Sequence, residues 1–257
     1  MASLIEAPRV VGLIPARLAA SRLPNKPLAD IDGRPMIQHV WERARATQLL
    51  SDVAIATPDD EIVRVVEGFG GRAIKTLAGH RSGTDRLAEA ASLLDLQDRD
   101  IVVNIQGDEP LLNSASIDAV VSALQDDRDL PMSSLMCPCP HEDIDNPDCV
   151  KVVCAQNGNA LYFSRARLPY PRHADSATVY QHVGLYAYRR GFLRMYASLP
   201  QTPLEMSESL EQLRVLEHGY IIRMARVATA PIGVDTPEDL ERVRQIIGGG
   251  QAAEMQR

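Results

Sequence analysis

The segment PARLAASRLPNK, residues 15–26, places several cationic and hydroxyl side chains in one short stretch. Arg17, Ser21, Arg22 and Lys26 lie there, and two prolines bracket Lys26, so that neither a long helix nor a central strand is expected around it. Cationic donors on a constrained loop suit a triphosphate, because they neutralise its charge while backbone N–H groups approach. A basic, solvated loop has the same composition, and charge alone does not separate the two interpretations.

Two acidic segments could hold a divalent cation. In NIQGDEP (104–110) a glycine lets the backbone turn and present Asp108 and Glu109 at the edge of a sheet. In GVDTPEDL (233–240) three residues have the spacing of a capping box with proline at the first helical position, which leaves Asp235 without a structural role. Mg²⁺ prefers a couple of carboxylates completed by substrate phosphates and water. Asp108 and Asp235 are therefore the predicted metal ligands, with the alternative that both only accept hydrogen bonds from backbone amides.

Four of these residues together predict metal-assisted nucleotidyl transfer: Arg17, Lys26, Asp108 and Asp235. Motifs of competing chemistries are missing from the sequence. Neither G-x-x-x-x-G-K-[ST] nor G-x-G-x-x-G follows the first predicted strand, and GFGG (68–71) is typical of a helix C-terminus. No Ser-His-Asp or Cys-His order is evident, and His80 and His182, each in a polar segment, are interpreted as structural.

The apolar pattern alternates between strand-like and helix-like segments. Strands are predicted over 9–16, 52–57, 72–76, 100–106 and 220–227. Helices are predicted from Pro35, from Asp59 as N-cap, and over 84–94, 116–125, 203–219 and 236–247. This rhythm predicts an α/β fold in three layers, with a mostly parallel central sheet and helices on both faces. Residues 131–163 and 181–189 carry short strand patterns and an Asn157-Gly158 turn, so a smaller mixed or antiparallel lobe is expected there.

Length and composition set the class of protein. The chain has 257 residues, 45% hydrophobic and 24% charged, which predicts one α/β domain over 1–247 and a frayed tail at 248–257. A net charge of −7 argues against general nucleic-acid binding, which needs a basic face. No apolar run approaches a membrane span, and the run at 10–16 is interpreted as a strand rather than a signal peptide. The cysteine spacing lacks paired C-x2-C and is typical of small apolar side chains in a reduced, cytoplasmic protein.

A series of motifs resembles one enzyme family along nearly the whole chain, from about residue 10 to about residue 244. The motifs are PARLAASRLPNKPL, GHRSGTDRLAE, NIQGDEP, ALYFSRARLPY, HVGLYAYR, LEQLRVLEHG and GVDTPEDLERVR. In this order they resemble the CMP-Kdo synthetases, the 3-deoxy-manno-octulosonate (Kdo) cytidylyltransferases of lipopolysaccharide synthesis. The first motif alone would indicate only the broader sugar nucleotidyltransferases, whereas HVGLYAYR with LEQLR is much more specific.

The resemblance implies a nucleotide-diphospho-sugar transferase-like fold, a homodimer, Mg²⁺, and the reaction of CTP with Kdo to give CMP-Kdo and pyrophosphate. The lobe at about 131–225 would serve sugar binding and dimerisation. The implied CTP-binding residues are Ala16, Arg17, Ser21, Lys26, Ser82, Gly83, Thr84 and Arg86. The implied sugar-binding residues are Gln106, Arg165, His182, Tyr186, Glu211 and Gln212. Glu211 and Gln212 are also compatible with the polar face of an exposed helix.

Two positions depart from the family pattern. The family often has serine at Ala20 and commonly has arginine at Gln181, before the histidine of HVGLYAYR. The segment before that motif is also shorter than in many members. These departures leave open a related acid sugar, such as an amino-Kdo or a sialic-type acid, as the acceptor. A non-catalytic nucleotide-binding protein on the same fold is the alternative from another class.

Overall fold

Each predicted strand and helix region contains such an element in the computed structural model, which describes residues 7–19, 23–80, 82–173 and 178–249. The strands are β1 (Val10–Pro15), β2 (Asp30–Ile31), β3 (Arg34–Pro35), β4 (Asp52–Thr57), β5 (Arg72–Lys75), β6 (Ile101–Asn104), β7 (Met132–Pro138), β8 (Lys151–Cys154), β9 (Ala160–Ser164), β10 (Tyr180–Arg189) and β11 (Ile222–Arg226). The α-helices are α1 (Met36–Ala44), α2 (Asp60–Gly68), α3 (Gly83–Leu93), α4 (Ser114–Gln125), α5 (Arg190–Ser198), α6 (Pro203–Glu208), α7 (Leu213–Glu217) and α8 (Pro237–Gly248). Short 3₁₀ turns cover Lys26–Leu28 and His141–Asp143.

One mixed sheet organises the chain, in the strand order β11-β7-β10-β6-β1-β4-β5. β6, β1, β4 and β5 run parallel to one another, as the β-loop-α rhythm predicts. β10 runs antiparallel to both β6 and β7, and β8 and β9 extend the sheet from it in antiparallel fashion. The predicted mixed extension in the middle of the sequence is therefore confirmed, and its Asn157-Gly158 turn joins β8 to β9 with Gly158 at φ +84°.

Apolar side chains on the two faces of the sheet form two separate cores. Along β1, Val10 and Ile14 belong to the core that contains α1, α2 and α4, whereas Val11 and Leu13 belong to the core that contains α3 and α5. Alternation of this kind is what a strand buried on both faces requires. A smaller cluster packs α8 against the β2–β3 region. The predicted three-layer α/β architecture is confirmed.

Two local predictions differ from the structure. The single helix predicted over 203–219 is divided into α6 and α7, because Ser209 adopts a left-handed backbone with φ +53° that ends the first of them. Asp59 stands at the N-cap position of α2, but its carboxylate does not cap that helix. It accepts a hydrogen bond from the backbone N–H of Leu18 instead, at 2.8 Å, and so fixes the loop after β1.

The four cysteines are free thiols on or beside β7 and β8. In the part of the chain that the structure describes, no helix is both long and apolar enough to cross a membrane.

Candidate active site

A cavity of about 540 Å³ opens at the carboxyl ends of β1 and β6. Parallel sheets bind ligands at this end of their strands, because the loops that follow them converge there. The cavity brings together most of the residues predicted to bind nucleotide and metal. Its described lining consists of Pro15, Ala16, Arg17, Ala19, Leu23, Lys26, Pro27, His80, Ser82, Gly83, Arg86, Gln106, Gly107, Asp108 and Asp235.

Lys26 joins the two predicted metal aspartates. Its Nζ lies 2.7 Å from Oδ2 of Asp108 and 2.9 Å from Oδ1 of Asp235, so both carboxylates converge on one point. The lysine side chain is only 14% exposed, whereas that of Asp235 is 56% exposed. Burial by itself would lower the pKa of Lys26, but the two carboxylates outweigh it and raise that pKa above its ordinary value. The ammonium is therefore held charged at the centre of the cluster.

Local backbone geometry sets the position of Lys26. The 3₁₀ turn that begins at Lys26 follows Asn25, whose left-handed backbone has φ +54°. The N–H of Lys26 donates to the carbonyl of Leu23, and the N–H of Leu28 donates to that of Asn25. Pro27 is buried beneath the turn. The expectation of neither a long helix nor a central strand around Lys26 is confirmed. The contacts that hold its ammonium are with carboxylates.

The acidic loops of the cluster are tied to each other. The backbone N–H of Val234, next to Asp235, donates to the carbonyl of Asp108 at 2.9 Å. Gly107 allows the first loop to approach β1, because a Cβ there would lie 3.1 Å from the carbonyl oxygen of Pro15. At the second loop, the predicted capping box at the start of α8 is present. The two carboxylates are thus placed by backbone constraints that do not depend on Lys26.

Glu109 has a different environment from its neighbour Asp108. Its Oε2 is buried and has no hydrogen-bond partner among the described residues. Burial, with a smaller contribution from the charge of Asp108, raises the pKa of Glu109 to about 8. Glu109 follows the end of β6 at the edge of the sheet, as expected, but Oε2 of its carboxylate is removed from water.

The predicted CTP-binding residues occupy different environments. On the segment after β1, Ala16 is buried and Arg17 is exposed. Ser21 lies outside the described residues, as do Ala20 and Arg22. At the start of α3, Ser82 accepts a hydrogen bond from the N–H of Asp85 and Gly83 lies against Pro15. These positions leave the described cavity open to a ligand between β1 and α3.

Thr84 and Arg86 are both buried and contact other groups of the protein. Thr84 is buried and lies against Tyr188 and Glu211, outside the described lining of the cavity. Arg86 borders the cavity but is only 3% exposed, and its NH1 donates to Oγ1 of Thr76 and to the carbonyl of Leu77. The guanidinium of Arg86 therefore holds the segment before α3 in place.

Gln106 links the cavity to β10, the strand that carries two other predicted sugar-binding residues, His182 and Tyr186. Nε2 of Gln106 donates to the carbonyl of Gly184 on β10, at 2.9 Å. His182 and Tyr186 flank that position, with ring centroids 5.4 Å apart. Burial lowers the pKa of His182 to about 4 and raises the pKa of Tyr186, so both side chains are neutral at pH 7. They can exchange hydrogen bonds with hydroxyls but carry no charge.

Glu211 and Gln212 precede α7 rather than lying on an exposed helix face. Gln212 is buried, whereas the side chain of Glu211 is 34% exposed. Oε1 of Glu211 is buried without a hydrogen-bond partner among the described residues. Burial raises the pKa of Glu211, and the nearby charge of Arg214 opposes that increase.

Arg165 is not brought to the described cavity lining. Its Nε donates to the backbone carbonyl of Glu208 at 2.8 Å, and its NH1 donates to that of Pro147 at 3.0 Å. The carboxylate of Glu208 also accepts hydrogen bonds from the backbone N–H of Arg165 and from Oγ of Ser164. The backbone position is well fixed, but the guanidinium is largely committed to carbonyl groups.

Sequence reasoning assigned His80 a structural role and did not place it at the cavity. His80 borders the cavity, and its Nε2 lies 2.5 Å from Oε2 of Glu89 on α3. The available signal was position, since His80 stands two residues before Ser82 in GHRSGTDR.

The fold and the cavity define a class of protein, the nucleotidyltransferases: a mostly parallel sheet ends in a pocket that combines cations with paired carboxylates. The profile of the family described as Cytidylyltransferase matches residues 11–225. The chain is 53% identical to the 3-deoxy-manno-octulosonate cytidylyltransferase of Syntrophobacter fumaroxidans, over 93% of this chain and 97% of the relative. It is 45% identical to that of Escherichia coli, over 93% and 96%. The chain therefore belongs to the cytidylyltransferase family, among the 3-deoxy-manno-octulosonate cytidylyltransferases.

Solved structures agree with this assignment. CMP:2-keto-3-deoxy-manno-octonic acid synthetase complexed with CTP superposes with a TM-score of 0.91 at 44% identity, over 94% of this chain and 99% of that one. A 4-diphosphocytidyl-2C-methyl-D-erythritol synthase shares the fold alone, with a TM-score of 0.64 at 14% identity, over 94% and 99%.

Proposed function

We propose that this chain transfers the cytidylyl group of CTP to Kdo, with release of pyrophosphate. The observation that carries the proposal is the convergence of Asp108, Asp235 and Lys26 in one cavity of a chain from this family. The anomeric hydroxyl of Kdo attacks the α-phosphorus, a new O–P bond forms, and the bond to the β-phosphate breaks. The hydroxyl proton is lost and pyrophosphate carries away the electron pair of the broken bond.

Cationic side chains are the groups this chain supplies for the leaving group. Arg17 is exposed at the cavity, and Lys26 is held charged beside it. Fixed cations stabilise the charge that develops on the departing pyrophosphate and need no reorganisation during the reaction. This role suits Lys26 because its backbone is fixed by the 3₁₀ turn, which reduces the entropy lost on binding.

The residues present fit a magnesium ion, and we propose one as the cofactor. Asp108 and Asp235 already converge on a positive charge, the ammonium of Lys26. Within the described ranges no group of three or more His, Cys, Asp or Glu side chains could hold a metal, so phosphates and water would complete the coordination. A bound Mg²⁺ would supply Lewis-acid polarisation of the phosphate and lower the pKa of the attacking hydroxyl.

The neutral side chains near Gly184 support an acceptor with many hydroxyls. Gln106, His182 and Tyr186 offer hydrogen bonds without charge. The departure at Gln181 is on this side of the site, where the side chain contacts the thiols of Cys137 and Cys149. A panel of Kdo, an amino-Kdo and a sialic-type acid in the same assay identifies the preferred acceptor.

We further propose a cytoplasmic homodimer formed through the lobe at about 131–225. Among the described residues, most of the exposed large apolar side chains lie in this lobe: Leu161, Tyr170, Leu204, Met206, Tyr220 and Ile221. Exposed apolar groups of this kind are typical of surfaces that bind another chain. Light scattering during size-exclusion chromatography is expected to give twice the chain mass, and Leu161→Glu to reduce it; a monomeric wild-type protein would reject the dimer.

The test of the proposed reaction is reconstitution. Purified protein, CTP, Mg²⁺ and Kdo are expected to give CMP-Kdo, identified by mass, together with one equivalent of pyrophosphate. Omission of each component in turn should abolish both products, and chelation of Mg²⁺ should do so reversibly. A protein that binds CTP but forms neither product is the non-catalytic alternative, and that result would reject the proposal.

A further inference from the structure

His80 is a cavity residue that the reaction described above does not use. It borders the cavity together with Ser82 and Gly83, and its side chain is only 17% exposed. Nε2 of the ring contacts Oε2 of Glu89. In the described part of the chain Nδ1 makes no hydrogen bond, so it is the ring nitrogen available to a ligand.

Glu89 determines which ring nitrogen carries a hydrogen. A carboxylate only accepts hydrogen bonds, so Nε2 of His80 must be the donor to Glu89. In the neutral imidazole the second nitrogen, Nδ1, is then an acceptor. The carboxylate itself is fixed, because Oε2 also accepts the backbone N–H of Leu77 at 2.9 Å. The contacts to Glu89 keep its carboxylate in the ionised form, with a pKa below its ordinary value although burial opposes this.

The segment that carries His80 is held to α3 by two side chains of that helix. Arg86 donates to Oγ1 of Thr76 at 2.6 Å and to the carbonyl of Leu77 at 3.2 Å. Glu89, three residues further along α3, accepts from Leu77 and His80. A ring held in this way can recognise a ligand group by direction as well as by distance, because little freedom remains to be lost on binding.

The described lining of the cavity contains neutral as well as charged groups. Lys26, Asp108 and Asp235 are joined to one another, and they suit the phosphates and their metal. Ser82 and Gly83 are neutral and border the cavity next in sequence to the segment of His80. Arg86 also lines the cavity, but its NH1 donates to Thr76 and Leu77. When the phosphates of a nucleoside triphosphate lie at the cluster of Lys26, Asp108 and Asp235, its neutral base lies in the remaining part of the cavity, beside Ser82 and Gly83.

We propose that His80 is a specificity-determining residue, whose Nδ1 accepts a hydrogen bond from the 4-amino group of cytosine, and that Glu89 is its positioning residue. The inference rests on the proposed function, which takes CTP as the nucleotide. Uracil carries a carbonyl oxygen at that position, so two acceptors would face each other and no hydrogen bond would form. A site built to pair a donor rejects the analogue that lacks it, because its own polar group is left unpaired.

The experiment compares three triphosphates, those of cytidine, uridine and the pyrimidin-2-one riboside, which lacks the amino group. Binding of each nucleotide alone is measured by calorimetry, and turnover is measured with CTP and UTP. Wild-type protein is expected to bind CTP at least about tenfold more tightly than either analogue, the scale of one lost and unreplaced hydrogen bond. Equal binding of CTP and the pyrimidin-2-one analogue by wild-type protein overturns the proposal without any variant.

Variants then assign the effect to the histidine. His80→Leu is expected to remove most of the preference for CTP, whereas His80→Asn, which keeps an acceptor close to the place of Nδ1, is expected to retain part of it. Glu89→Gln provides the readout of the positioning role. Its amide can donate to Nε2 and so stabilise the tautomer with a hydrogen on Nδ1, which is expected to lower the CTP/UTP ratio about tenfold.

Equal losses for CTP and UTP in His80→Leu and Glu89→Gln would mean a purely structural role, which also overturns the proposal. The nucleotide-binding measurements decide the role of His80 even where no CMP-Kdo is formed. A chain that makes CMP-Kdo but binds the three nucleotides equally rejects His80 as the base reader and leaves the proposed reaction intact.

Discussion

Lys26→Met removes the ammonium that Asp108 and Asp235 share. Both carboxylate oxygens lie within 3 Å of Nζ, at 2.7 and 2.9 Å, so they remain within about 6 Å of each other when it is gone. Two like charges at that separation repel by about 1 to 3 kcal/mol for effective dielectric constants of about 80 to 20. Because both carboxylates are at least one-third exposed, the lower end applies, and the free energy of unfolding should fall by about 1 kcal/mol.

Turnover should respond much more strongly than stability. We expect kcat for CMP-Kdo formation to fall about 10²–10³-fold, the scale of losing one preorganised group that stabilises developing charge. The assay is continuous pyrophosphate release at saturating CTP and Kdo. Lys75→Met is the matched control, since Lys75 also pairs with an aspartate, Asp60, but on a largely exposed surface outside the described cavity lining. It should retain near-normal turnover.

The same variant tests whether the two carboxylates act as a cation site. Without nucleotide, Mg²⁺ should raise the melting temperature of Lys26→Met more than that of the wild-type protein, because the ion no longer competes with the ammonium. Near-normal turnover would remove Lys26 from the mechanism. An identical Mg²⁺ response in the two proteins would refute the reasoning that the carboxylates share one cation.

Three further predictions follow from other contacts. Asp235→Asn should lower kcat about 10²–10³-fold with circular dichroism unchanged, whereas the exposed neighbour Glu238→Gln should not; equal effects would point to general charge. Gly107→Ala should lower the free energy of unfolding by about 1 to 3 kcal/mol in urea titrations, because its Cβ would meet a carbonyl oxygen at 3.1 Å; an unchanged midpoint would contradict the close approach. Glu205→Gln breaks a buried ion pair with Arg214 and should cost about 3 kcal/mol at pH 7. Burial would raise the pKa of Glu205, but contacts led by Arg214 hold that pKa below its ordinary value of 4.5. The stabilisation by the ion pair is therefore present above about pH 4.5 and is lost as the pH falls through the lowered pKa. The stability curves of wild type and variant should converge in acid, and parallel curves would refute the assignment.

Local sequence patterns determined most of the fold. β1 and β6 are continuous apolar runs, and α1 has its buried residues at helical spacing, so each element is specified by residues close together in the chain. The division of 203–219 into α6 and α7 was not predictable in this way, since nothing in the local pattern requires Ser209 to adopt a left-handed backbone.

For the site, the sequence supplied the residue types at the strand ends, and the family motifs supplied most of their roles. Only the tertiary structure decided that Lys26 bonds to Asp235, 209 residues away, that Arg86 holds a loop, and that Arg165 is directed to backbone carbonyls. Periodicity and capping act over a few residues and can be read from the chain. Contacts between distant loops depend on how the sheet orders its strands, and the burial that sets the pKa values of Glu109 and His182 arises only when those strands pack.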